Sequence, residues 1–200
     1  MGISLRQFEQ MKDRVAGKTL RADPPSAARN TPVAAKKILG IDPSLRGTGF
    51  GIIRVEKNHF TTLAQGTIAC PKDWERSRCL ARISRTLQDV LLEHSPDICV
   101  VEGIFYAQNL KTAIIMGEAR GAALAAVAEC GVEIYEIATR KVKQAIVGYG
   151  AAQKIAVAKM VQRMLNLAEL PAPDAADALA LALAHAQGIS RFNLNAPKRI

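Results

Sequence analysis

Lys37-Ile38-Leu39-Gly40-Ile41-Asp42-Pro43, followed after a short turn by Gly47-Thr48-Gly49-Phe50-Gly51-Ile52-Ile53, is the stretch whose reading decides the fold. Ile38 to Ile41 is an apolar run that stops at an Asp-Pro turn signal, and the second run resumes a few residues later, so a β-hairpin is expected. A third strand is predicted over His59 to Ala69. Leu80, Ile83, Leu87, Val90 and Leu91 then recur at helical spacing ahead of Ser95-Pro96. Ile98-Cys99-Val100-Val101 is an unbroken apolar run suited to a strand covered on both faces, and it ends at Glu102-Gly103. Beyond it the pattern predicts an Ala-rich helix over Asn109 to Cys130, a fifth strand over Val132 to Ile137, a helix over Ala151 to Leu167, and a last helix over Asp174 to Gln187 after Pro171 and Pro173. The order β-β-β-α-β-α-β-α predicts an α/β fold with a mixed five-stranded sheet flanked by helices.

This pattern occupies residues 37–187, which are expected to form a single domain. Residues 1–36 mix charges, prolines and alanines without sustained periodicity, and Asp23-Pro24-Pro25-Ser26 reads as a linker, so a disordered basic extension is expected there. It reads as a solvated leader, as the product of a start placed too far upstream, or as a nucleic-acid-binding arm. Residues 188–200 read as a basic C-terminal tail.

The chain's 200 residues carry 27 Lys and Arg against 18 Asp and Glu, a formal charge of +9 that attracts polyanions before any specific contact forms. Nucleic acid is therefore the leading partner class. Cys70, Cys79, Cys99 and Cys130 make no C-x-x-C pair, which excludes a zinc ribbon or disulfide framework as the organising device. No apolar stretch has membrane-spanning length, and the N-terminus lacks the apolar centre of a secretory signal. A cytoplasmic protein that does not enter a membrane is expected.

Functional groups in α/β sheets gather beyond the carboxyl ends of neighbouring strands, and Asp42 and Glu102 each close an apolar strand. Asp174 and Asp177, spaced i, i+3, share one face of the first turn of the last helix, so four carboxylates are able to meet at one point. Like charges packed so densely raise one another's pKa and call for a cation. Hard oxygen donors select Mg²⁺, with Mn²⁺ as a substitute. Two such ions about 3.5 to 4 Å apart serve phosphodiester hydrolysis. Each acid also has a structural reading: Asp42 starts a turn, and Asp174 and Asp177 cap a helix. Glu102 is the exception, because an ionisable group directly continuing a buried strand needs a partner.

The same residues carry a family resemblance over about residues 37–187. Ile38 to Pro43 with Gly47 to Gly51, Glu102-Gly103-Ile104-Phe105, Glu118-Ala119-Arg120-Gly121, Val142-Lys143-Gln144 through Val147-Gly148-Tyr149-Gly150 to Lys154, and Asp174-Ala175-Ala176-Asp177-Ala178-Leu179-Ala180 stand in family order. Together they resemble the RuvC family of Holliday-junction endonucleases, within the ribonuclease H-like fold. The resemblance implies a homodimer that resolves four-way DNA junctions with paired nicks, working with the branch-migration proteins RuvA and RuvB. It also implies that Asp42, Glu102, Asp174 and Asp177 hold two Mg²⁺ ions and that the helix over Asn109 to Cys130 lies at the dimer interface. Phe105 then becomes a candidate to stack on an unpaired base, or simply a loop-packing aromatic. Lys143 and Lys154, with Arg140 and Lys141 nearby, become candidates to neutralise phosphates, or are exposed helix charges.

Two positions depart from the family pattern. Ser44-Leu45 stands where Gly usually follows the Asp-Pro pair, which leaves the direction of Arg46 open, and Gly103 replaces the more familiar Gln. His185 lies eleven residues beyond Asp174, about 16 Å along a helix, too far to join that site. His59 and His94 read as surface residues. Two rival readings are a ribonuclease H-like enzyme acting on structured RNA and a binding-only relative that recognises branched DNA. A third rests on the hairpin's likeness to the phosphate loop of actin-like ATPases, but those proteins duplicate the fold and this chain has no second hairpin block.

Overall fold

Ile38, Gly40 and Asp42 alternate with Leu39 and Ile41 along the first strand, and the alternation divides the core between two faces of a sheet. In the computed structural model of the chain, which describes residues 36–57, 59–103, 109–190 and 198–200, β1 (Lys36–Asp42) lies centrally in that sheet. It pairs antiparallel with β2 (Gly47–Glu56), which pairs antiparallel with β3 (His59–Ala69). On its other side β1 runs parallel to β4 (Ile98–Gly103), and β4 runs parallel to β5 (Glu133–Ala138). A short β6 (Lys198–Arg199) adds antiparallel to β5. The strand order is β3-β2-β1-β4-β5-β6.

The sixth strand corrects the expected five. Two exposed basic residues carry no apolar alternation by which to read a strand, and the pairing of Arg199 with Tyr135 and Lys198 with Glu136 is supported by the Arg199 to Glu133 ion pair at 2.9 Å.

Five helices cover the sheet among the described residues: α1 (Arg76–His94), α2 (Leu110–Glu129), α3 (Thr139–Val147), α4 (Lys154–Met164) and α5 (Pro173–Ser190). α3 was not expected. It begins directly at the end of β5 without an intervening turn and stops at Gly148, whose φ of 83° places it in the left-handed region that ends helices. The helix expected over Ala151 to Leu167 is correspondingly shorter. α2 starts at Asn109, whose side chain accepts a hydrogen bond from the Thr112 amide at 2.9 Å. Phe105 lies outside the described residues, as do residues 1–35. No helix among the described residues is long and apolar enough to cross a membrane.

Leu39, Ile41, Cys99 and Val101 point to the face covered by α1 and α2, where they meet Ile83, Leu87, Ala123 and Val127. Ile38, Ile98, Val100 and Ile137 point to the other face and pack against Val142, Val161, Leu179 and Leu183. The unbroken apolar run of β4 follows from burial on both faces.

α5 sits flush on its face because glycines pave it. A Cβ on Gly40 would lie 1.9 Å from the Ala178 carbonyl oxygen, and one on Gly49 would lie 2.0 Å from that of Asp174. Both collisions are with backbone, which cannot move aside as a flexible side chain would. The alternating Gly47, Gly49 and Gly51 are thus three successive positions on one face of β2. Gly49→Ala and Gly40→Ala are each expected to cost roughly 1 to 3 kcal/mol or more, lowering the melting temperature by several degrees. Gly188→Ala, where an added Cβ meets nothing within 4 Å, should leave stability unchanged or slightly raised. Thermal unfolding of the three variants checks this.

Candidate active site

The β1/β4 register pairs Gly40 with Val100 and Ile41 with Val101, so one step further places Asp42 beside Glu102 at the carboxyl ends of two parallel strands. By strand alternation both side chains share a face with Gly40 and Val100, the face on which α5 lies. α5 brings the other two acids. The Asp174 side chain lies over β2, with Oδ2 only 2.8 Å from where a Cβ on Gly47 would stand, and Gly49 is the register partner of Asp42. Asp177 is one turn further along, and its Oδ2 accepts a hydrogen bond from Lys154 Nζ at 2.6 Å.

Electrostatics follow from this crowding. Asp42 is pushed up from 3.8 to about 8, first by burial, then by the charge of Glu102 and a hydrogen bond shared with it, and then by the charge of Asp177. Lys154 offsets part of the shift. The lysine is itself held charged, chiefly by its hydrogen bond to Asp177. Glu102 has further partners. Its Oε1 accepts a hydrogen bond from Thr139 Oγ1 at 2.6 Å, and its backbone carbonyl accepts one from the buried Arg120 guanidinium, which also pairs with Glu136.

The cluster's chemistry fits a divalent cation: the donors are hard carboxylate oxygens, burial and then the neighbouring charges of Glu102 and Asp177 raise the proton affinity of Asp42, and a lysine ammonium bonded to Asp177 supplies compensating charge. The side chains as they stand are not a finished cage, since among the described residues no three His, Cys, Asp or Glu groups are drawn close enough to hold an ion. Lys154 engages Asp177 in that place. Asp42, Glu102, Asp174 and Asp177 would be the residues to hold the metal.

The basic residues divide by position. Lys143 of α3 and Lys154 at the start of α4 line the cleft beside Glu102, Thr139 and Asp177. Lys141 is exposed on α3, while the Arg140 side chain lies against Gly150, where a Cβ would come within 2.7 Å of its Cγ. Arg46 turns away from the carboxylates: it donates to the carbonyls of Pro71 and Trp74 and approaches Cys79 Sγ at 3.3 Å, bracing the β3–α1 connection. The turn at Ser44-Leu45 is closed instead by Thr48, whose hydroxyl donates to the Ser44 carbonyl at 2.6 Å and accepts from the Ser44 amide at 3.2 Å, while Leu45 packs into the core.

His185 is buried on α5 beside Tyr135, with ring centroids 4.9 Å apart, and desolvation lowers its pKa to about 4. His59 is exposed and His94 half-buried. Sequence reading missed Thr139 and gave Arg120 no role. Thr139 offers little signal, because a threonine at a strand-to-helix junction reads as a capping residue.

The chain is similar to known proteins over most of its length. The family model described as crossover junction endodeoxyribonuclease RuvC matches residues 38–185. The crossover junction endodeoxyribonuclease RuvC of Syntrophomonas wolfei is 47% identical over 150 residues, covering 74% of this chain and 87% of that protein. The Thermotoga petrophila protein of the same description is 44% identical over 151 residues, covering 75% and 92%. T. thermophilus RuvC, solved in complex with Holliday junction substrate, is 32% identical with a TM-score of 0.75, over 82% of this chain and 99% of that one. The ribonuclease H-like fold expected from the sequence is therefore the fold observed, with one strand more than counted. The chain belongs to the crossover junction endodeoxyribonuclease RuvC family.

Proposed function

We propose that Asp42, Glu102, Asp174 and Asp177 bind the divalent metal with which this endodeoxyribonuclease hydrolyses phosphodiester bonds in opposed strands of a four-way DNA junction. Family membership makes the chain an enzyme of DNA recombination and repair. The observation that carries the residue assignment is the juxtaposition of Asp42 and Glu102 at adjacent strand ends, where burial and then the charge of Glu102 push Asp42 up to about 8. The metal is Mg²⁺, two ions to a site, with Mn²⁺ as substitute; when bound, such a pair activates a water and stabilises the leaving oxygen of an in-line displacement. The protein's own part is to hold the acids converged, to keep Glu102 oriented, and to present Lys143 and Lys154 to phosphate oxygens along the cleft. Arg140 and Lys141 extend the positive surface, and Phe105, carried from the sequence, is the candidate base-stacking side chain.

A homodimer accounts for α2. Its buried face consists of Ala119, Arg120, Ala123, Ala126 and Val127, yet Leu110, Ile114 and Met116 are exposed and Gly117 and Gly121 leave open space above them. Exposed apolar side chains in line with small residues suit close approach of a second copy. Two protomers then present two sites to two opposed strands, with RuvA and RuvB as the partners implied by the family. The four cysteines are free, consistent with a cytoplasmic setting.

Asp42→Asn should cut a four-way junction roughly a thousandfold more slowly or worse in Mg²⁺ while binding it with unchanged affinity; normal cutting by that variant would remove the carboxylate mechanism. Lys143→Ala should weaken junction binding and reduce the slope of log affinity against log salt by about one, and an unchanged slope would place Lys143 away from phosphate.

The pH dependence follows from Asp42. Its pKa is higher folded than unfolded, so its contribution to the stability of the metal-free chain is full below pH 3.8 and is lost as pH rises through about 8. Thermal scans in EDTA should therefore show the melting temperature falling between pH 5 and 8.5 relative to Asp42→Asn, with the fall relieved by Mn²⁺. Parallel profiles for the two proteins would mean that Asp42 is already ionised.

A further inference from the structure

The geometry points to Thr139 as a positioning residue for the metal site, fixing the orientation of the Glu102 carboxylate through its Oε1. The inference rests on the assignment of Glu102 as a metal ligand.

Thr139 is brought to Glu102 by the sheet itself. Glu102 is the register partner of Ile137 on β5, and Thr139 is the second residue beyond Ile137, where the chain passes directly into α3. The hydroxyl therefore arrives at the strand end on the α5 side, the side to which Glu102 points, and lies 2.6 Å from Oε1. A hydroxyl has one proton to donate, and a carboxylate can only accept, so this contact commits the Thr139 proton to Glu102. Thr139 is β-branched and begins a helix, which restricts its χ1 and holds the donor in place.

The other end of Glu102 is anchored from the opposite side of the sheet. Arg120 of α2 reaches the Glu102 carbonyl and is itself held by the Glu136 carboxylate. The backbone is thus pinned by one helix and the side chain by another, which takes away most of a glutamate's rotational freedom before any ion arrives.

Thr139 also differs in kind from Lys154. The lysine holds Asp177 by supplying a positive charge, which an incoming cation must displace. The threonine is neutral, so it orients Glu102 without consuming the charge that attracts the metal. Hydrogen-bond partners that orient ligands in this way typically alter metal affinity by about 10- to 100-fold when removed.

The test uses the full-length chain and three variants, Thr139→Val, Thr139→Ser and Glu102→Gln. Mn²⁺ binding is measured calorimetrically without DNA, and single-turnover junction cleavage is measured against Mg²⁺ concentration. Thr139→Val, nearly isosteric, should weaken Mn²⁺ about tenfold and raise the Mg²⁺ needed for half-maximal cutting by a similar factor, with junction affinity in EDTA unchanged. Thr139→Ser, which keeps the hydroxyl, should stay within about twofold of the parent. In a Glu102→Gln background Thr139→Val should add nothing further. Thr139→Ala repeats the deletion with a strong helix former should valine destabilise the helix start. Parent-like Mn²⁺ binding by the valine and alanine variants, equal damage from serine, or an additive loss in the Glu102→Gln background would overturn the role given to Thr139. Normal Mn²⁺ binding and cutting by Glu102→Gln would instead remove Glu102 from the metal site, a separate result.

Discussion

The seating of α5 on a glycine-paved surface is the contact on which the rest of the site depends. Without side chains at Gly40 and Gly49, the backbone of α5 approaches that of β1 and β2 closely enough that a single methyl group would collide with the Ala178 or Asp174 carbonyl. That approach sets how far the first turn of α5 extends over the strand ends, and so where Asp174 and Asp177 stand relative to Asp42 and Glu102. The burial of Leu179 and Leu183 against Ile38, Ile53 and Val100 stabilises the same contact from further along the helix.

The second constraint is strand register. Parallel pairing of β1 with β4 puts two acids side by side, and a one-residue slip would send one of them to the opposite face. The register is secured by burial on both faces, because Leu39, Cys99 and Val101 are committed to one layer and Ile38, Ile98 and Val100 to the other. Core packing thus maintains an electrostatically unfavourable juxtaposition, and burial together with the charge of Glu102 raises the proton affinity of Asp42. Lys154, bonded to Asp177, offsets part of it, while Arg120 and Thr139 hold the Glu102 carbonyl and carboxylate respectively.

Much of this was legible in the sequence because apolar periodicity reports burial directly. The hairpin, the doubly covered β4 and the acids at its end and at the end of β1 followed from runs and alternation, and the glycine spacing was visible though its purpose was not. What escaped reading lacked such a signal. β6 is two basic residues fixed by pairing to β5, and α3 starts without any loop to announce it. Arg46 was open because its partners, the Pro71 and Trp74 carbonyls, are distant in sequence. Thr139 meets Glu102 across 37 residues through a β4/β5 register that no local pattern encodes.

Diffraction from Mn²⁺-soaked crystals, collected at a wavelength where manganese scatters anomalously, tests the convergence of these carboxylates most directly. The account predicts anomalous density between the β1 and β4 ends and the first turn of α5, ligated by Asp42 and Glu102 together with Asp174 or Asp177, with Lys154 released from Asp177. Ordered Mn²⁺ elsewhere on the protein, with those four side chains unmoved and Lys154 still on Asp177, would contradict it.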